Sequence, residues 1–208
     1  MRGTRRGVVC ALVVVGLAAL VPADVIYDES ISGDLSSSGL APTVLTVSPG
    51  SNELFGTTGK SDAGVVDRDY FSFTVPTGWV LSSLVLIPGT QTLGPLGASF
   101  IGIEAGPQVT VSASATDATD LLGWVHYETS DIGTNILPLM GGSGLGATGF
   151  TPPLPTGTYS FWVQEASVGT VNYGFDLVTT PAPEPMCWTL LLTGLILLRT
   201  CRRRPGLL

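Results

Sequence analysis

The stretch DYFSFTV, residues 69–75, decides the fold. Successive side chains of a strand point to opposite faces, so Phe71, Phe73 and Val75 share one side while Tyr70, Ser72 and Thr74 share the other. An aromatic row against a mixed row describes a half-buried strand; an amphipathic helix would repeat its apolar residues at three and four. Phe71 and Phe73 are expected in the core, each contributing roughly 1.5–3 kcal/mol by burial. Working outward, TVLTVS (43–48), VLSSLVLI (80–87), ASFIGIEA (98–105), QVTVSASA (108–115), TYSFWVQE (158–165) and VNYGFDLVT (171–179) show the same alternation or the same β-branched and aromatic enrichment. Tyr159, Phe161 and Val163 repeat the core stripe late in the chain. Seven or eight short strands divided by Pro-Gly and Thr-Gly breaks predict an all-β domain over residues 24–180. An antiparallel β-sandwich or jelly roll is the expected form, with no helix long enough for a βαβ unit.

Composition agrees, because 27 glycines and 15 prolines among 208 residues favour turns over long helices. Charge is distributed more tellingly than the net −7 suggests. Of nine basic residues only Lys60 and Arg68 lie within residues 24–185, against all sixteen acids, so that stretch carries −14. Such a surface repels phosphate, which excludes nucleic acid as a partner. Basic ends and apolar segments around an acidic centre form the pattern of a chain whose termini start cytoplasmic and whose centre is exported.

The N-terminus, MRGTRRGVVCALVVVGLAALVPA, reads as a secretory signal peptide over residues 1–23. Arg2, Arg5 and Arg6 precede an apolar run over 8–21, and Val-Pro-Ala places Ala23 before a signal-peptidase cut. That run is short for a membrane span, which needs about 20 residues. Cys10, Cys187 and Cys201 all lie near the ends, so the centre has neither a disulfide framework nor a cysteine zinc site.

Past Thr180 the pattern changes. Pro181, Pro183 and Pro185 disfavour helix and predict an extended linker. Residues 186–198 are mostly apolar and helix-compatible, and Arg199, Arg202, Arg203 and Arg204 follow at once. A helix of that length rises about 20 Å against a hydrocarbon core of roughly 30 Å, which makes it a marginal, transient anchor. Pro183-Glu184-Pro185, a short transmembrane helix and an arginine cluster, all within residues 181–208, resemble the PEP-CTERM sorting signal. This tail runs four residues, Pro-Gly-Leu-Leu, past its arginines. Members of that family are exported proteins of Gram-negative bacteria that make exopolysaccharide. The resemblance implies recognition of the tail by exosortase, a membrane-embedded transpeptidase-like enzyme, then release to the cell surface or extracellular matrix. Exopolysaccharide is the implied partner.

Two phrases of the centre, DRDYFSFTVPTGWVLSSLVL (67–86) and LPTGTYSFWVQEASVGTVNYGFDLV (154–178), resemble strand pairs of bacterial pre-peptidase C-terminal domains. Those are small jelly-roll modules appended to secreted enzymes, and no protease domain accompanies this one. The resemblance implies a fold and no particular ligand.

Signals for chemistry are sparse. GLGATG (144–149) has dinucleotide-loop spacing, but prolines at 152, 153 and 155 forbid the helix such a loop requires. His126 is the chain's one histidine and has no Gly-x-Ser-x-Gly partner, so it reads as a strand-face imidazole. Among acids, Asp62, Asp67 and Asp69 near one strand entrance are the candidate ligands of calcium, which takes several oxygens from turns. Solvated strand-end charge is the alternative, and no other cofactor is expected. Trp79, Trp124 and Trp162 are the candidates for stacking on a sugar ring. The expectation is thus a non-enzymatic exported protein whose site residues belong to a sorting signal. A carbohydrate- or protein-binding module permanently anchored by its C-terminal helix is the alternative. A secreted hydrolase would require a pocket uniting His126 with two acids.

Overall fold

The computed structural model describes residues 23–93, 99–114, 118–143 and 146–183. Most of the expected signal peptide and, in the tail, Glu184, Pro185, Arg199, Arg202, Arg203 and Arg204 lie outside the described residues. Among the described residues no helix is long and apolar enough to cross a membrane.

The described domain is mostly β. Its strands are β1 (Asp24–Asp28), β2 (Thr43–Val44), β3 (Asn52–Lys60), β4 (Val66–Val75), β5 (Trp79–Leu86), β6 (Ser99–Ala105), β7 (Gly123–His126), β8 (Gly157–Glu165) and β9 (Gly169–Pro181). Two short helices, α1 (Glu29–Ser32) and α2 (Leu137–Ser143), accompany them. The main path runs β5-β9-β3-β4-β8-β6-β7, with β1 parallel on β3 and β2 parallel on β4. All pairs along that path are antiparallel, and the sheet curls into a half-barrel. Its halves meet where Gly59 faces Asp67 and Lys60 faces Val66. Gly59 is required there, because a Cβ would strike the carbonyl of Gly169.

The alternation in DYFSFTV holds. β4 and β8 pair in register over eight residues, Arg68 with Gln164 through Val75 with Gly157. Phe71 therefore stands opposite Phe161 with ring centroids 5.0 Å apart and planes 5° from parallel, and Phe73 lies 5.4 Å from the same ring. Leu54, Leu84, Ile103, Phe175 and Leu177 close around them, all without exposure. The opposite face is covered too: Tyr70, Phe100 and Trp162 pack under Val109 and Leu121 in a second cluster. Ser72 is buried as well, leaving only Thr74 of that face exposed.

Several expected strands differ. Residues 108–114 of QVTVSASA form no strand, because polar side chains take the backbone's partners. The Thr110 amide and hydroxyl donate to the Glu104 carboxylate at 2.8 and 2.6 Å, and the Val109 amide donates to the Gly39 carbonyl. TVLTVS supplies only the two residues of β2, although Leu45 and Val47 still reach the core. Conversely NELFGTTGK forms β3, paired to β9 over seven residues, where two glycines and three polar residues obscure the alternation.

Phe161→Ala is expected to cost about 3–5 kcal/mol in urea denaturation, since it removes the ring on which both Phe71 and Phe73 stack. Thr74→Ala, at an exposed position, is expected to stay within about 0.5 kcal/mol of the parent.

Candidate functional site

The rule that sends Phe71 and Phe73 inward also sends Asp69 inward, since it lies two residues earlier on the same face. Asp69 has no exposed surface. Its Oδ2 accepts a hydrogen bond from the Tyr173 hydroxyl at 2.9 Å, and its Oδ1 has no hydrogen-bond partner. Gly56 on β3 makes room for this arrangement, because a Cβ there would collide with the Tyr173 ring and hydroxyl. The neighbouring cation is directed elsewhere: Arg68 donates through Nε to Gln164 Oε1 at 3.1 Å and through Nη1 to the Val66 carbonyl at 3.4 Å.

Two further carboxylates arrive from the N-terminal segment. Asp28 caps α1 by accepting from the Ser30 amide at 2.9 Å, and Gly33, with φ of 89°, turns the chain back. Glu29 is thereby held over β3. Its Oε2 accepts from the Thr57 amide at 2.7 Å and hydroxyl at 3.1 Å, and its Oε1 accepts from the Leu35 amide at 3.1 Å. Asp34, exposed, completes the group: one carboxylate oxygen from each of Glu29, Asp34 and Asp69 lies within 4.8 Å of the other two.

The electrostatics follow from crowding like charges in a dry place. Burial, reinforced by the charge of Glu29 and then by Asp67 and Asp34, pushes Asp69 up to about 9 despite the Tyr173 hydrogen bond. Burial also raises Glu29, with its bonds to Thr57 and Leu35 opposing and the Asp34 charge adding. Asp67 rises through burial and then through Asp34. Tyr27 is raised by burial, then by Glu29, Asp34 and Asp69 in turn. A proton or a hard cation relieves such a group, and oxygen-only donors suit calcium better than zinc or copper.

Of the acids singled out in the sequence, Asp69 sits in this group and Asp67 lies within its field, while Asp62 is exposed in the turn after β3. Glu29 and Asp34 were not legible because more than thirty residues separate them from Asp69 and no spacing motif connects them. A cleft of about 280 Å³ adjoins the group, walled by Asp28, Glu29 and Ser30 over a floor of Phe55, Gly56 and Tyr173. A second cleft, between β3 and β4, gathers Lys60 and Arg68 with Ser61 and Asp67.

The tryptophans take other places. Trp162 is 6 % exposed and stacks on Tyr70 at 5.8 Å, so it offers no open face to a sugar. Trp79 is half-buried against the main core, and Trp124 is half-buried, tilted against Phe100 and edge-on to His126. His126 lies in neither cleft. In GLGATG, the amides of Thr148 and Gly149 already donate to the carbonyls of Leu121 and Leu122. Ala23 is exposed beside the start of β1, and Pro183 is exposed two residues past the end of β9. No protein-family model, curated protein or solved structure matches the chain.

With chelator present, the melting temperature is expected to fall as pH rises from about 4 to 9. Asp69 has a folded-state pKa near 9 against an ordinary 3.8, so its contribution is complete below the lower value and is lost through the upper one. Asp69→Asn is expected to flatten that slope. An unchanged slope in the variant would show that another group titrates.

Proposed function

We propose that the chain is an exported, non-enzymatic protein of the cell surface or extracellular matrix, sorted and processed through its C-terminal tail. The observation that carries this reading is the order of three elements at the chain's end: Pro183-Glu184-Pro185, the apolar run 186–198, and Arg199 with Arg202, Arg203 and Arg204. The basic cluster holds that end in the cytoplasm, the short helix grips the bilayer weakly, and the proline linker presents an extended backbone to a processing enzyme.

Element bounds support the same reading. β1 starts at Asp24, directly after the expected signal-peptidase cut, and its first amide donates to the Ser51 carbonyl at 3.1 Å. β9 ends at Pro181, and the Ala182 amide donates to the Gly78 carbonyl at 2.8 Å. The expected cut after Ala23 thus precedes β1, and Pro183, where the expected processing region begins, lies past the end of β9. Exosortase is the processing partner on this reading, exopolysaccharide the matrix partner, and the membrane a transient one. A jelly-roll form akin to the pre-peptidase C-terminal modules belongs to the same proposal, supported by a core to which both halves of the sheet contribute.

The intact mass of the protein recovered from the surface or matrix fraction tests it, in hosts with and without the processing enzyme. The expected product lacks residues 1–23 and the segment after about residue 185, and the second cut disappears with the enzyme. Retention of residues 186–208 in both hosts would contradict sorting and leave a permanently anchored module.

A further inference from the structure

We propose that Glu29, Asp34 and Asp69 together bind one calcium-type divalent cation, and that this ion fastens the N-terminal segment onto the sheet. The inference does not depend on sorting by the tail. It stands first on geometry, since three carboxylates from two distant parts of the chain offer oxygens within 4.8 Å of one another.

A second observation points to a missing partner. Asp69 is completely buried, and its Oδ1 accepts no hydrogen bond. Buried polar atoms of native proteins are nearly always paired, and a buried carboxylate oxygen left bare beside two other carboxylates is a costly arrangement. Arg68, the adjacent cation, spends its guanidinium on Gln164 and Val66. A bound ion would supply the partner and offset the mutual repulsion. Burial raises the proton affinity of Asp69 for the same electrostatic reason, so a proton competes with the metal for this site.

The donor set names the class of ion. All three ligands are carboxylates, Glu29 opening α1, Asp34 in the irregular chain after it and Asp69 within β4, without imidazole or thiolate, which matches calcium's flexible oxygen shell. Magnesium demands near-octahedral geometry at shorter distances. The Thr57 and Leu35 amides already fix the Glu29 carboxylate, so one ligand is preoriented before the ion arrives.

The consequence falls on residues 24–34. α1 buries none of its residues, Ile31 is 84 % exposed and Val25 52 % exposed, so little apolar packing restrains this segment beyond Ile26 and Tyr27. Glu29 and Asp34 bracket its loop, and Asp69 belongs to the rigid β4. An ion shared by the three converts a repulsive junction into the segment's main tether.

The test uses the full chain in detergent, stripped with chelator and then titrated with calcium, magnesium or terbium. Calcium is expected to bind one site with a dissociation constant between about 10⁻⁵ and 10⁻³ M and to raise the melting temperature by about 5 °C at saturation. Terbium emission sensitised by Tyr27 and Tyr173 should appear and be displaced by excess calcium. Asp34→Asn, a change at an exposed position that spares the core, should weaken calcium at least about tenfold and abolish that emission, while Asp62→Asn leaves both intact. No calcium-dependent shift at about 10 mM, an equal shift with magnesium or matched sodium chloride, or equal losses in the two variants would each overturn the proposal.

Discussion

The in-register pairing of β4 with β8 is the constraint on which the rest depends. It stacks Phe71 and Phe73 on Phe161 and fixes which side of the sheet is dry. A one-residue slip would exchange this face with the one carrying Tyr70 and Ser72, so register and core are a single decision. The same register commits Asp69 to the interior two residues before the first phenylalanine. The carboxylate group is therefore a consequence of β4's alternation, and the fold must neutralise what that alternation buries.

Two devices contend with this. The Tyr173 hydroxyl, on β9, satisfies one oxygen of Asp69 and requires Gly56 to leave space for its ring. The N-terminal segment supplies Glu29 and Asp34, which add negative charge where it is least welcome. In isolation that addition destabilises the junction; with an ion it becomes a chelate. On the export reading, signal-peptide cleavage makes Asp24 the new N-terminus, so the segment whose hold depends on these carboxylates is also the first stretch of the processed chain. Packing alone restrains it weakly, which is where a modest electrostatic contribution has the largest effect on local opening.

The parts of the fold legible in sequence were those whose side chains alternate cleanly. DYFSFTV and TYSFWVQE were both legible as core strands through matching aromatic stripes, while their pairing with each other is seen only in the structure. NELFGTTGK hid the central strand β3, because Gly56 and Gly59 occupy places where a ring and a neighbouring backbone approach, and glycine carries no pattern. QVTVSASA alternates well yet is diverted by Glu104, whose carboxylate takes the Thr110 amide and hydroxyl six residues on, a side-chain contact that strand alternation does not encode. For the site, Asp69 stood out as a carboxylate at a strand entrance. Its companions did not, because β1 and α1 reach it through tertiary folding over β3 rather than through a contiguous loop motif.

Hydrogen–deuterium exchange of the amides in residues 24–35, with calcium and with chelator, tests the central claim most directly. The account predicts slow exchange across β1 and α1 with calcium and at least about tenfold faster exchange without it, while β4 and β8 stay protected in both. Equal protection of residues 24–35 in the two conditions would contradict it and leave the segment held by strand pairing and packing alone.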